Sequence, residues 1–177
     1  MSIILPFLFL VQDPVAPATQ EPVDWAKALG IEEEKRDPVT GEFPVEPYAQ
    51  SNANAGAAPV RSDDLAADFG GQVGIQRMTD RMIALNRADP RTAAIFEGHD
   101  MVRLRRTLFE QFCYILAAGC DYTGRDMRAA HKDMGLQAND MNALVENLQQ
   151  AMREQNIPFA SQNRLLAKLA PMRSDVL

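Results

Sequence analysis

Residues Tyr122–Leu136 read YTGRDMRAAHKDMGL, and the histidine in this stretch decides how the chain is understood. His131 follows Met127 by four positions and precedes Met134 by three. On a helix the three side chains therefore share one face. An imidazole set between methionines looks into apolar space, where it stays neutral and can give a ring nitrogen to a metal. By itself the stretch fits more simply a hydrogen-bonded core histidine. The chain on either side has to decide.

Helical periodicity surrounds it. From Asp100 to Ala118, Met101, Leu104, Leu108, Phe112 and Ile115 fall on one stripe about 100° wide, the mark of a buried helix face. Before that, Ile75, Met78, Met82 and Leu85 recur at steps of three and four from Gln72 to Ala88. Asp89-Pro90 closes that helix, because the residue before proline avoids the helical region. Ser62-Asp63-Asp64 caps a brief helix that stops at Gly70-Gly71. Beyond His131, Gly135 ends the central helix. Met141, Leu144, Val145, Leu148, Ala151 and Met152 mark another helix before Pro158, and Leu165, Leu166 and Leu169 a last one before Pro171. No segment alternates with period two long enough for a strand. The domain is all-α, and a bundle with a filled core is its plainest reading.

The chain has 177 residues, 46% of them hydrophobic, which allows one core of ordinary size plus a tail. A net charge of -6 offers no attraction to nucleic acid or to an anionic membrane. Cys113 and Cys120 start on the same helix, two turns apart, and read as free thiols without metal spacing. The apolar run Ile3–Val11 falls far short of the roughly 20 residues of a spanning helix. It suits the apolar part of a secretory signal, with Ala16-Pro17-Ala18 as a cleavage site ahead of Thr19. No Lys or Arg precedes the run and Asp13-Pro14 interrupts its end, so residues 1–18 give an exported or periplasmic protein with a cytoplasmic one as the alternative. Residues 19–61 are rich in Pro, Ala, Asn and Glu and read as a tether, with a short helix from Asp24 to Lys35 and a partner-docking role as the alternative.

Several short motifs then succeed one another. They are Phe69-Gly70-Gly71, Ala88-Asp89-Pro90-Arg91, Phe96-Glu97-Gly98, Asp100-Met101 with Arg103-Leu104, Tyr122-Thr123-Gly124, Ala130-His131 with Gly135, and Leu169-Ala170-Pro171. In this order, residues 62–177 resemble a group I truncated haemoglobin, a small globin that packs two helices over two. None of the motifs is specific alone; in register across the domain they are. Residues 1–61 lie outside the resemblance.

The resemblance implies haem b, an iron protoporphyrin IX, with His131 as the proximal ligand and the opposite axial position open to a gas. The second ring nitrogen of His131 then donates to a backbone carbonyl, that of Met127. Phe96 packs on the porphyrin, Leu104, Leu108 and Phe112 line the distal wall, and Met101, Met127, Met134 and Leu144 complete the cage. Family members usually aim a tyrosine from the second helix and a glutamine from the long distal helix at the ligand. Here those positions hold Ile83 and Leu108. Dioxygen gains partial negative charge on binding, and a hydrogen bond to a charged acceptor contributes about 1.5–3 kcal/mol. Its loss speeds oxygen release roughly ten- to a hundredfold. Thr107 should point off the pocket, and His99 reads as an exposed loop residue, with a sixth-ligand role as the alternative.

The implied function is reversible binding of diatomic gases (oxygen, nitric oxide or carbon monoxide), with an unidentified reductase as electron donor. Nitric oxide dioxygenation is known in the family, but its helpers are missing here, so binding ranks above turnover. A gas or redox sensor that docks through the N-terminal tail is the alternative from another class, and a haem-free helical domain a third.

Overall fold

The computed structural model describes residues 28–30, 35–61 and 64–177. The chain divides into two units, 1–34 and 35–177, and the second carries the helices named here. The apolar run Ile3–Val11, most of the helix expected from Asp24 to Lys35, and the cap residues Ser62 and Asp63 lie outside the described residues.

Gly70 and Gly71 both take positive φ, 74° and 61°, and turn the chain from α1 (Asp64–Asp68) into α2 (Gly71–Ala88). A side chain at Gly74 is excluded as well, since a Cβ there would stand 1.9 Å from the Phe69 carbonyl oxygen. α2 ends at Asp89, which is extended as its place before proline requires. The carboxylate of Asp89 accepts from Arg91 and from the amide of Asn147, and these hydrogen bonds hold it far below the ordinary carboxylate range. Arg91 also reaches Glu146 at 2.7 Å. The Ala-Asp-Pro-Arg motif is thus a latch joining the end of α2 to α6 (Ala138–Glu154). Behind it, buried Asn86 accepts from Asn147 and donates to the Met82 carbonyl, while Thr92 donates to the Asn86 carbonyl.

Next come α3 (Ala93–Phe96), α4 (Met101–Ile115), α5 (Met127–His131), α6, α7 (Phe159–Leu169) and α8 (Arg173–Val176). α2 packs on both α4 and α6, and α6 on α7, which gives the two-over-two arrangement. One cluster holds Ile75, Met78 and Met82 from α2, Phe112, Cys113 and Ile115 from α4, Leu148 and Met152 from α6 and Leu165 from α7. No strand occurs among the described residues.

Three expectations change. Cys113 and Cys120 form a disulfide. The helix that was to hold them apart stops at Ile115, Ala117 and Gly119 take positive φ of 57° and 85°, and the doubled-back chain brings the two Cα atoms to 5.6 Å. The helix of His131 ends at His131 itself and not at Gly135: Lys132 is extended, and Asp133 is left-handed at φ 62°. Met134 therefore does not share a helical face with Met127 and His131.

The third change concerns the expected tether. Residues 36–60 lie along the helices as a strap, with Ala55 fully buried and Glu42 6% exposed. Asp100, the cap of α4, accepts from the Phe43 amide at 2.7 Å and from Arg36 at 2.8 Å. Arg106 grips Glu42 through two nitrogens at 2.5 and 3.0 Å. The same guanidinium bonds Glu110 at 3.0 Å and the Thr123 hydroxyl. Asn52 accepts from the Tyr122 amide, and the Val60 amide donates to the Ile115 carbonyl. Such a segment has no apolar periodicity to announce it, because it borrows hydrogen-bond partners instead of making its own core.

Two predictions follow from these cross-links. Closing so short a loop stabilises by about 2 kcal/mol in the chain-entropy account. Reductant should then lower the urea midpoint by roughly 1 M, and Cys120→Ser should lose as much with no further response to reductant. An unchanged midpoint means the bridge contributes nothing. Glu42 is held below the ordinary carboxylate range by its hydrogen bond from Arg106, so its share of strap stability is complete above its unfolded pKa and is lost as pH falls through the lowered value. Hydrogen exchange in residues 42–56 should rise below about pH 4, and Glu42→Gln should show raised exchange already at neutral pH; exchange that ignores both changes would put the strap's hold elsewhere.

Candidate functional site

The site is built on α5, only five residues long. Asp126 caps it by accepting from the Ala129 amide at 2.8 Å. The loop ahead is fixed by its own motif. The ring of Tyr122 covers Gly124 so closely that a Cβ there would stand 2.2 Å from the phenol oxygen, and that hydroxyl donates to the Arg125 carbonyl at 2.8 Å. Burial pushes the phenol up to about 12, so it remains a donor at any working pH. Thr123 gives its amide and its hydroxyl to Glu110 of α4, at 3.0 and 2.7 Å. Tyr-Thr-Gly is thus the hinge pin between α4 and α5.

His131 is the last residue of α5 and is half-buried. Its Nδ1 lies 2.7 Å from the Met127 carbonyl oxygen. A carbonyl only accepts, so Nδ1 carries a proton, and in the neutral tautomer it is Nε2 that has the lone pair.

The expected site residues come from five helices and the loop after α5. Phe96 closes α3 at 8% exposure, and Ile83 is buried on α2 at 9%. Met101, Leu104 and Leu108 run along α4 and are half-buried, as is Leu144 on α6. Met127 begins α5 and is buried in the core cluster, with Leu108 and Leu144 packed against that cluster. Phe112, expected on the distal wall beside Leu104 and Leu108, is 2% exposed within the same core. Met134 follows α5 in the loop and is half-buried. A cavity of about 290 Å³ brings Phe96 and Met101 together with Arg87, Gly98 and His99. His99 is exposed there, as its place in the turn predicts. Thr107 turns its hydroxyl onto the Arg103 and Leu104 carbonyls of its own helix.

Along α4 and α6 burial changes from one end to the other. Phe112, Cys113, Ile115, Leu148 and Met152 are sealed, whereas Met101, Leu104, Leu108, Met141, Leu144 and Val145 stay partly open. Met141 and Val145, read only as marks of the helix, belong to this open row; their steps of three and four from Met141 to Leu144 and Val145 were the available signal. Gln111 and Glu42 were missed, since a polar residue inside or ahead of an apolar stripe gives no sign of what it will meet.

Residues 66–177 match the bacterial-like globin family. A group 1 truncated hemoglobin of Chlamydomonas moewusii is 28% identical over 115 residues, covering 64% of this chain and 67% of its own. Another, from Nostoc commune, is 26% identical over 110 residues, covering 62% and 93%. Among solved structures, truncated hemoglobin from Tetrahymena pyriformis in its Fe(III) form aligns at 25% identity with a TM-score of 0.61, covering 64% of this chain and 97% of that one. The 2/2 hemoglobin from Synechococcus, in the cyanomet state with covalently attached heme, aligns at 25% identity and 0.60 over the same shares. The glycine corner, the Asp89 latch, the Tyr-Thr-Gly pin and the two-over-two core all lie within the matched region, and the chain belongs to the bacterial-like globin family as a group I truncated globin.

Proposed function

We propose that this globin holds haem b on His131 and binds diatomic gases reversibly in a distal space without hydrogen-bond donors. Its family generally binds haem and gas; the ligand and the character of the pocket are the finer reading. The observation that carries it is the 2.7 Å bond from Nδ1 of His131 to the Met127 carbonyl, which leaves Nε2 as a free, oriented donor of electrons. Among the described residues no three His, Cys, Asp or Glu side chains gather where they could hold a bare metal ion. A lone imidazole suits a metal that brings its own equatorial ligands. The half-open apolar rows of α4 and α6 suit a flat apolar macrocycle, and thioethers such as Met101 and Met134 adapt to its outline.

Iron protoporphyrin, when bound, would supply the iron that takes up a diatomic ligand. The chain's residues do the rest. His131 presents Nε2, Phe96 and Leu144 exclude water, and Leu104, Leu108 and Ile83 face a gas with nothing to donate. Oxygen, which gains charge on binding, is held less firmly in such a space than carbon monoxide. An unidentified reductase keeps the iron ferrous, and nitric oxide dioxygenation stays secondary because nothing at Ile83 or Leu108 steadies oxygen. Residues 36–60, which a tail-docking sensor would use, are engaged with the domain itself. Export is the compartment this reading favours: the Cys113–Cys120 bridge persists in oxidising surroundings, and N-terminal sequencing of native protein should begin at Thr19.

Ferrous protein should show a Soret band that shifts with carbon monoxide, and His131→Ala should lose the five-coordinate ferrous spectrum. A His131→Ala protein that keeps haem with an unaltered ferrous spectrum would remove the ligand assignment. Ile83→Tyr with Leu108→Gln should slow oxygen release by roughly ten- to a hundredfold, about 1.4 kcal/mol for each factor of ten, while changing carbon monoxide release less. Equal rates in variant and parent would place the control of oxygen release outside these two positions.

A further inference from the structure

Gln111 lies on α4, three positions beyond Leu108, and is 6% exposed. Its amide nitrogen stands 2.9 Å from the Ala55 carbonyl oxygen of the strap, 3.2 Å from the sulfur of Met127 and 3.7 Å from that of Met172. A primary amide has two N–H groups. One is directed to the strap, and the other to the methionine whose own carbonyl accepts from His131.

The surroundings show how tightly that junction is made. Gly56, next to Ala55, takes φ 81°, and a Cβ there would stand 2.9 Å from the sulfur of Met172. Met172 leads into α8, which packs on α5 and holds Arg128 through Asp175 at 2.8 Å. Strap, distal helix, C-terminal turn and the helix of His131 meet at one buried amide. The family match begins at residue 66, so Ala55 belongs to a part of this chain outside it.

We propose that Gln111, seated by the strap carbonyl of Ala55, is a positioning residue for His131: it anchors Met127, and through the Met127 carbonyl it fixes which imidazole nitrogen is protonated and where the ring points. A helix as short as α5 does not hold its own place, and its first residue goes where its contacts put it. The cofactor side of this claim rests on the proposed haem reading; the tautomer side does not.

The test uses the full chain. Gln111→Met keeps the length and fills the core but removes both N–H groups. Met127→Leu removes only the sulfur and keeps the carbonyl. In apo protein, long-range proton–nitrogen NMR should show a single Nδ1–H imidazole for His131 in the parent and a second, Nε2–H set in each variant. In ferrous haem protein the iron–histidine stretching band should shift or split in both. The double variant should go no further than Gln111→Met alone, because the two act along one path. A His131 signal unchanged in both variants, or effects that add, would overturn the proposal. Should Gln111→Met fail to fold, Met127→Leu decides, since it leaves the strap bond intact. A chain that takes up no haem yet shows the tautomer change would sink the haem reading and keep this one.

Discussion

A helix of five residues cannot support itself, and the histidine on which the proposed function turns is the last residue of such a helix. Fixing the first helical turn costs more conformational freedom than its few hydrogen bonds return. The direction of His131 is therefore set from outside. Asp126 caps the start, the phenol of Tyr122 closes over Gly124, Thr123 ties the preceding loop to Glu110, and Gln111 holds Met127. A longer helix would tolerate loss of one of these contacts. Here each removes a large fraction of what defines the turn.

Charge works locally in a chain whose overall balance is acidic. Arg106 lies between Glu42 of the strap, Glu110 of its own helix and Thr123 of the loop. A planar guanidinium fits two carboxylates and a hydroxyl in fixed directions, which a lysine could not do. Ion pairs this well covered do not outperform apolar packing in raw stability; they select one register, and a strap of alanines and asparagines has little else to do so. Neighbouring Arg103 reaches Glu42 at 3.2 Å and the Phe43 carbonyl, yet its buried Nε makes no hydrogen bond and has only the Asp100 carboxylate at 3.9 Å. Arg106 is therefore the better satisfied of the two anchors.

The helices were legible because their apolar residues repeat with the helical period: Ile75–Met78–Met82 and Leu104–Leu108–Phe112 lie where that spacing puts them. The partner of His131 came instead from the resemblance to truncated haemoglobins, and the carbonyl four residues back does lie within reach of Nδ1. What the sequence hid has a common physical cause. Cys113 and Cys120 lie two turns apart on paper, and only the left-handed residues Ala117 and Gly119 fold the chain back between them. Met134 falls off the face of His131 because Asp133, also left-handed, breaks the period two residues before Gly135 would announce an end. Glu42 and Gln111 find partners more than fifty residues away in sequence. Periodicity reads contacts made within an element, and these depend on how the chain turns between elements.

That same distinction bears on the distal side. On the proposed haem reading, the lack of a donor there is wider than the two positions Ile83 and Leu108. Thr79, Asn86 and Gln111 are the buried polar side chains of α2 and α4, and each is already engaged: Thr79 with the Ile75 carbonyl, Asn86 with Met82 and Asn147, Gln111 with the strap and Met127. Half-buried Thr107 bonds back to its own helix. Turning Gln111 toward a gas would take its N–H from the buried Ala55 carbonyl, at about 1–3 kcal/mol, and Thr79, Asn86 and Thr107 would give up side-chain bonds to carbonyls of their own helices. That matches what a hydrogen bond to the ligand could return, so rotamer change offers no net gain. On the proposed haem reading, the apolar character of the distal space would then rest on the hydrogen bonding of both helices as well as on which residues face it.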